Sequence, residues 1–172
     1  MSKLFAPLLI SVIATTAAAQ PAREPVPEGS VAFWGITYLD ESLQTEMLGE
    51  DPAELDRIEM LETMVTDRFS ASGMEMLDTS EVEGQVKNVV NPAKCYGCDT
   101  RAAAELGADY SLVGEVQKVS NLILSMNLQL RDAETGEMVR GRVVDIRDNS
   151  DAAWRRGMDY ILRNTFFMEE EE

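Results

Sequence analysis

Apolar and polar residues alternate with a period of two through "NLILSMNLQLR". Leu122, Leu124, Met126, Leu128 and Leu130 take one side; Ile123, Ser125, Asn127, Gln129 and Arg131 take the other. Successive side chains of a strand point to opposite faces, so this run predicts a strand with one buried face and one largely polar face. "DAETG" follows as a hairpin turn with Gly136 in the left-handed position, and "EMVRGRVVDIR" reads as the return strand. "ADYSLVGEVQKV" precedes the pair, which makes a three-strand meander. Nearer the start, the β-branched and aromatic "VAFWGITYLD" (31–40) predicts a buried strand, and "MEML" (74–77) a short one.

Between these runs the period changes to that of a helix. Asp51 stands as an N-cap, Pro52 at the first helical position and Glu54 three residues past the cap; Leu55, Ile58, Leu61, Val65 and Phe69 then recur on one side until Gly73. The acidic "ESLQTEMLGE" before it reads as a connection. Ser80 with Glu83 opens a helix expected to run to about Val90, which Asn91-Pro92 ends. Asp99 or Thr100 is placed to cap "RAAAEL", with Gly107 as its stop. A last helix capped near Ser150 carries Trp154, Met158, Ile161 and Thr165, with Leu162 and Phe166 beside them. The order βαβααβββα predicts an α+β domain, a mixed sheet of about five strands with helices packed mainly on one face.

The ends of the chain add a compartment. "MSKLFAPLLISVIATTAAAQ" has one lysine, a short apolar run and the small residues Ala17, Ala18 and Ala19, the layout of a secretory signal with cleavage after Ala19. The apolar run is well short of the roughly 20 residues of a membrane-spanning helix, and no cysteine follows it to take a lipid. The expected division is therefore a signal peptide at 1–19, an extended leader at 20–30, one domain at 31–167 and an acidic tail at 168–172, exported to the periplasm. The formal charge of -16 opposes nucleic acid and anionic membrane and favours a basic partner. Histidine is absent, which excludes Ser-His-Asp and Cys-His nucleophiles and H-E-x-x-H zinc sites. No catalyst is expected, and no cofactor.

Both cysteines lie in "NPAKCYGCDTR", as Cys95 and Cys98. Asp99 stands where a c-type haem needs histidine, and tetrahedral zinc lacks two of its four ligands. A redox centre is the sharper reading, because Cys98 lies just before a helix N-terminus that would lower a thiol pKa. Against it, Tyr96-Gly97 replaces the Gly-Pro of thioredoxin. A structural disulfide is the plainer reading for an exported chain with one close pair, and it is the expectation here. The acidic runs "DESLQTEMLGED" (40–51) and "RDAETGE" (131–137) invite calcium or a lanthanide, yet neither has the EF-hand spacing. The remaining candidate is a patch for a carboxylate-bearing partner: Asn127, Gln129 and Arg131 on the polar side of one strand, with Arg140 and Arg142 on the next.

The run "AAAELGADYSLVGEVQKVSNLILSMNLQLRDAETGEMV" has a further reading as a unit. An Ala-rich helix ends in L-G-A-D-Y, a strand ends in V-G-E-V, and a long alternating strand leads into R-D-A-x-T-G-E. This resembles the periplasmic domains typified by the TolB amino-terminal domain and CsgG. Within that group the chain is similar to a proteobacterial family of exported domains of unknown function that share C-x-G-C-D, here Cys95 to Asp99, and "VQKVSNLIL", here Val116 to Leu124. The resemblance covers about residues 31–165. It implies a non-catalytic accessory domain that binds another periplasmic protein, with a quinoprotein alcohol (methanol) dehydrogenase system as the implied setting. The alternative is a small-ligand or thiol-redox protein working through Cys95 and Cys98. Membrane-spanning hairpins of the CsgG kind have no counterpart in this sequence.

Overall fold

The computed structural model describes residues 28–168. The expected signal segment, leader residues 20–27 and the tail beyond Met168 lie outside the described residues. Five strands form one mixed sheet in the order β2-β1-β3-β4-β5. They are β1 (Ser30–Asp40), β2 (Glu75–Met76), β3 (Tyr110–Ser120), β4 (Ile123–Asp132) and β5 (Met138–Ile146). β1 runs parallel to β2 and β3, while β3, β4 and β5 form the antiparallel meander. The first strand takes in Ser30, one residue earlier than expected.

Two long helical segments cover one face. These are α2 (Pro52–Ala71), capped by Asp51 on the amide of Ala53, and α5 (Asp151–Ile161), capped by Ser150 on that of Ala153. Ile58, Leu61, Val65 and Phe69 of α2 and Trp154, Met158 and Ile161 of α5 meet Leu112, Val116, Leu124, Met126, Leu128 and Leu130 of the sheet. Each such side chain, fully buried, contributes about 1.5–3 kcal/mol. A single wide π turn, Leu162–Phe166, continues α5. Its extra residue per turn keeps Leu162, Thr165 and Phe166 all facing inward.

A bulge in β1 keeps its side chains in step with this core. The register shifts between Phe33 and Ile36, so Phe33, Ile36 and Tyr38 all reach the core face while Ala32 and Trp34 face the other way. The bulged amide of Ile36 donates to Glu62 Oε1 at 2.7 Å, and Gly35, with φ of 77°, leaves that carboxylate its room. A Cβ at this position would stand 2.7 Å from the same oxygen.

The opposite face is covered over part of its area by short elements: α3 (Glu83–Val86), a 3-10 turn at Pro92–Lys94 and α4 (Cys98–Glu105). Small residues make the close approach there, Ala32, Ala103, Ala108 and Ala133 packing with Trp34. Several local expectations are corrected. α3 stops at Val86 instead of Val90. The run read as a connection holds α1 (Leu43–Leu48), capped by Ser42. α4 starts at Cys98, and Asp99 turns its carboxylate inward instead of capping. On α2, Leu55 is exposed and Glu54 takes the inward position; on the meander, Leu122 is exposed in the turn before β4.

Candidate functional site

The polar layer under the disulfide is built from β1, β3, β4 and α4. Cys95 and Cys98 are bonded, with Cα atoms 5.5 Å apart, and the Cys98 amide donates to Cys95 Sγ at 3.1 Å. The small ring holds Tyr96 in the left-handed region at φ of 55° and leaves it 99% exposed. Beneath it the fully buried Asp99 accepts from Ser111 Oγ at 2.9 Å and from Arg131 Nη1 at 3.4 Å. Ser111 Oγ in turn accepts from Trp34 Nε1 at 3.1 Å. Arg131 Nη2 also donates to the carbonyl of Ala93 and to Gln129 Oε1, which ties the segment before the disulfide to the sheet. Asp99 Oδ1 lies 3.7 Å from Cys95 Sγ, so the disulfide rests on the hydrogen-bonded network of Asp99, Ser111, Trp34 and Arg131.

The expected five-residue patch is divided by the sheet. Leu130 pairs with Arg140 and Leu128 with Arg142. Directly opposed residues of an antiparallel pair share a face, so both arginines stand on the core-helix side. Arg142 donates to Tyr160 Oη of α5 at 3.3 Å and lies over its ring, and Arg140 donates to the carbonyl of Val139. Asn127, Gln129 and Arg131 occupy the other face, where Gln129 and Arg131 are engaged with each other. The alternation along each strand was legible; the register between strands, which decides which rows meet, was not. The two acidic runs are likewise occupied locally. Asp40 is turned onto Lys118, and Asp132 accepts from the amides of Glu134 and Thr135 within its own turn.

A second polar centre, missed in the sequence, lies at the opposite side of the sheet where β1 and β3 end. Lys118 is 3% exposed and Glu54 2%. Lys118 Nζ donates to Glu54 Oε1 at 2.6 Å, to Asp40 Oδ2 at 3.1 Å and to Thr45 Oγ1 at 3.3 Å. Tyr38 Oη donates to Glu54 Oε2 at 2.6 Å and Asn149 Nδ2 to Glu54 Oε1 at 2.6 Å. Asn149 Oδ1 accepts from Trp154 Nε1 at 2.9 Å. Burial alone would push Lys118 down, but the bonds to Glu54 and Asp40 outweigh it and hold the ammonium above its ordinary value. Burial likewise opposes the Asp40 charge, yet bonds from Ser42, Thr45 and Lys118 carry its carboxyl well below the usual range. Burial and the neighbouring Glu54 raise the Tyr38 phenol, which stays protonated as a donor. A lysine in the strand "GEVQKVS" was the one available signal.

This network fastens α1 to the end of the sheet. The Thr45 hydroxyl bonds Asp40, Gln44 Oε1 accepts the amide of Asn121 at 3.1 Å, and Gln117 reaches Glu41 at 2.7 Å. With its polar side turned down, α1 presents Leu43, Met47 and Leu48 outward, the last two 81% and 86% exposed. The Gln44–Asn121 contact sets the β3–β4 turn beside it, with Val119, Leu122 and Ile123 also exposed. A cavity of about 300 Å³ lies between α1 and α2, and its inner carboxylates, Asp40 and Glu54, are those already held by Lys118.

A family profile described as "Protein of unknown function (DUF2380)" matches residues 29–166. The chain belongs to that family, DUF3280. The match spans the whole sheet, both long helices and the disulfide segment. No curated protein matches the chain. Among solved structures it is similar to the LpoB C-terminal domain from Salmonella enterica, 14% identical, covering 70% of this chain and 83% of that one with a TM-score of 0.47. Lipoprotein GNA1162 from Neisseria meningitidis is 17% identical, covering 71% and 82% with a TM-score of 0.47. The hypothetical protein CT253 from Chlamydia trachomatis is 15% identical, covering 80% and 95% with a TM-score of 0.49.

Proposed function

We propose that this member of DUF3280 is an exported, non-catalytic interaction module that docks onto another periplasmic protein through its apolar end. The observation that carries this reading is the exposure of Leu43, Met47 and Leu48 on α1 and of Leu122 in the turn that Gln44 holds beside it, above a buried ion network that fixes α1 in place. Exposed apolar side chains scattered singly need no explanation, whereas a cluster on a rigid support marks a contact surface. The rim is acidic: Glu41, Glu46, Glu50 and Asp51 are all exposed around it. Such a rim repels an anionic lipid surface and suits a protein with a basic border. Among the described residues no helix is long and apolar enough to cross a membrane. Export rests on the layout of residues 1–19, and kinship with the TolB and CsgG domains is part of the same proposal. No residue at this end points to a particular enzyme system, the quinoprotein alcohol dehydrogenases included.

The test is cross-linking and co-purification from the periplasm. The variant Met47→Glu with Leu122→Glu is expected to lose the partner while melting as the parent does, because exposed substitutions move stability by under about 0.5 kcal/mol each. Val90→Glu, at an equally exposed apolar site elsewhere, is expected to keep it. A partner retained by the folded double variant refutes docking at this end.

A further inference from the structure

We propose that the open edge of β5 takes up an extended acidic segment of a partner protein as an added strand. β5 is the last strand of the sheet, and among the described residues no hydrogen bond from outside the sheet reaches the main chain of residues 141–147. A groove of about 600 Å³ runs between this edge and α5. It is lined by the consecutive residues 142–148. A groove on the face of a strand meets only alternate residues, so lining by consecutive ones means that the edge itself, with its main-chain donors and acceptors, forms the wall.

Charge then selects the occupant. In a chain of formal charge -16, the groove collects Arg142, Arg147 and Arg156. Of its two acids, Asp145 pairs opposite Ser125, which puts it on the far face of the sheet, and Asp148 lies past the end of β5, accepting from Ser150 Oγ at 2.6 Å. Tyr160 and Val144 provide an apolar floor between Arg142 and Arg156. A second copy pairing edge to edge across a two-fold axis would bring these arginines against their own mates, in two molecules that already repel. An extended segment with carboxylates at every second position instead turns one row of charges toward Arg142 and Arg156 while its main chain pairs with β5. This site adjoins the apolar end, where Asn149 donates to Asn121 of the β3–β4 turn, but it uses different side chains, and each stands or falls without the other.

The probe is a fluorescent peptide of about ten residues alternating glutamate and threonine, long enough to span β5 at about 3.3 Å per residue. Binding to the intact protein is followed by anisotropy. The glutamate peptide is expected to bind, and its lysine counterpart to bind at least about tenfold more weakly. Arg142→Glu with Arg156→Glu is expected to weaken the glutamate peptide by a similar factor. Two further peptides carry N-methyl groups on alternate amides, one set on each edge. Strand addition requires one of them to lose binding and the other to keep it, a result read on the unaltered protein. Equal binding of both methylated peptides, or no binding of the parent peptide, overturns the proposal. So does sedimentation showing a dimer that the double arginine variant dissociates. Binding seen only after residues 169–172 are removed also overturns it, by making the chain's own glutamates the occupant.

Discussion

Lys118 is the residue on which the apolar end depends. Its ammonium meets two carboxylates, and the lone pairs left over on Glu54 are filled by Tyr38 and Asn149, so the buried charges are hydrogen-bonded throughout. A pair of this kind adds little stability over an apolar replacement, but removal of one partner strands the other. Lys118→Met is therefore expected to lower unfolding stability by about 3–5 kcal/mol in urea titrations. Adding Glu54→Gln to that variant is expected to restore part of the loss, since the more deeply buried of the two orphaned charges, Glu54 and Asp40, is then gone. A double variant no more stable than the single one would show that packing at Lys118, and not charge, carries the effect. Beyond a lysine within a strand-patterned run, none of this was readable from residue order. Glu54 fits a capping position next to Asp51 as well as it fits a buried one, and only the tertiary approach of Lys118 decides between them.

At the scale of elements, the long patterned runs were legible and the short ones were not. The alternation from Leu124 to Leu130 and the helical spacing of Ile58, Leu61, Val65 and Phe69 each repeat often enough to fix a face, and all eight side chains are buried. α1 and α3 are too short to show a period, and a capped Leu43–Met47 pair inside an acidic run reads as loop unless its support is seen. The disulfide segment is intermediate. The cysteine spacing pointed to a closed ring, while the ties that hold the ring, Asp99 to Arg131 and Ser111, span strands far apart in sequence. This ranks two substitutions. Cys95→Ser with Cys98→Ser opens only a small loop, so a loss of about 2 kcal/mol or less is expected, with a melting point a few degrees lower. Asp99→Ala strips a largely buried arginine of its counter-charge and is expected to cost more. If the serine variant proves the less stable of the two by thermal melting, the ring and not the network braces α4.

Across the whole molecule, the question is whether the two faces of the sheet unfold together. One face holds the aliphatic core under α2 and α5, and the other a thinner layer of alanines and hydrogen-bonded polar groups under α3 and α4. β1 and β3 serve both: Val31 and Leu112 point into the core, Ala32 and Ser111 into the polar layer. Neither layer can lose its floor without the other losing its own, which predicts a single cooperative transition. The chain carries its own probes, since its two tryptophans lie on opposite faces, Trp154 in the core and Trp34 against Ser111. In a Trp154→Phe variant, urea unfolding followed by Trp34 fluorescence is expected to coincide with unfolding followed by far-ultraviolet circular dichroism. The same agreement is expected for Trp154 fluorescence in a Trp34→Phe variant. Comparing two probes within each variant cancels the different stability cost of each substitution. If the Trp34 signal moves at lower urea than the dichroism, the layer under α3 and α4 opens on its own. The disulfide would then close a ring within a locally unstable flap, whose ties to the sheet are the bonds of Asp99 to Ser111 and Arg131.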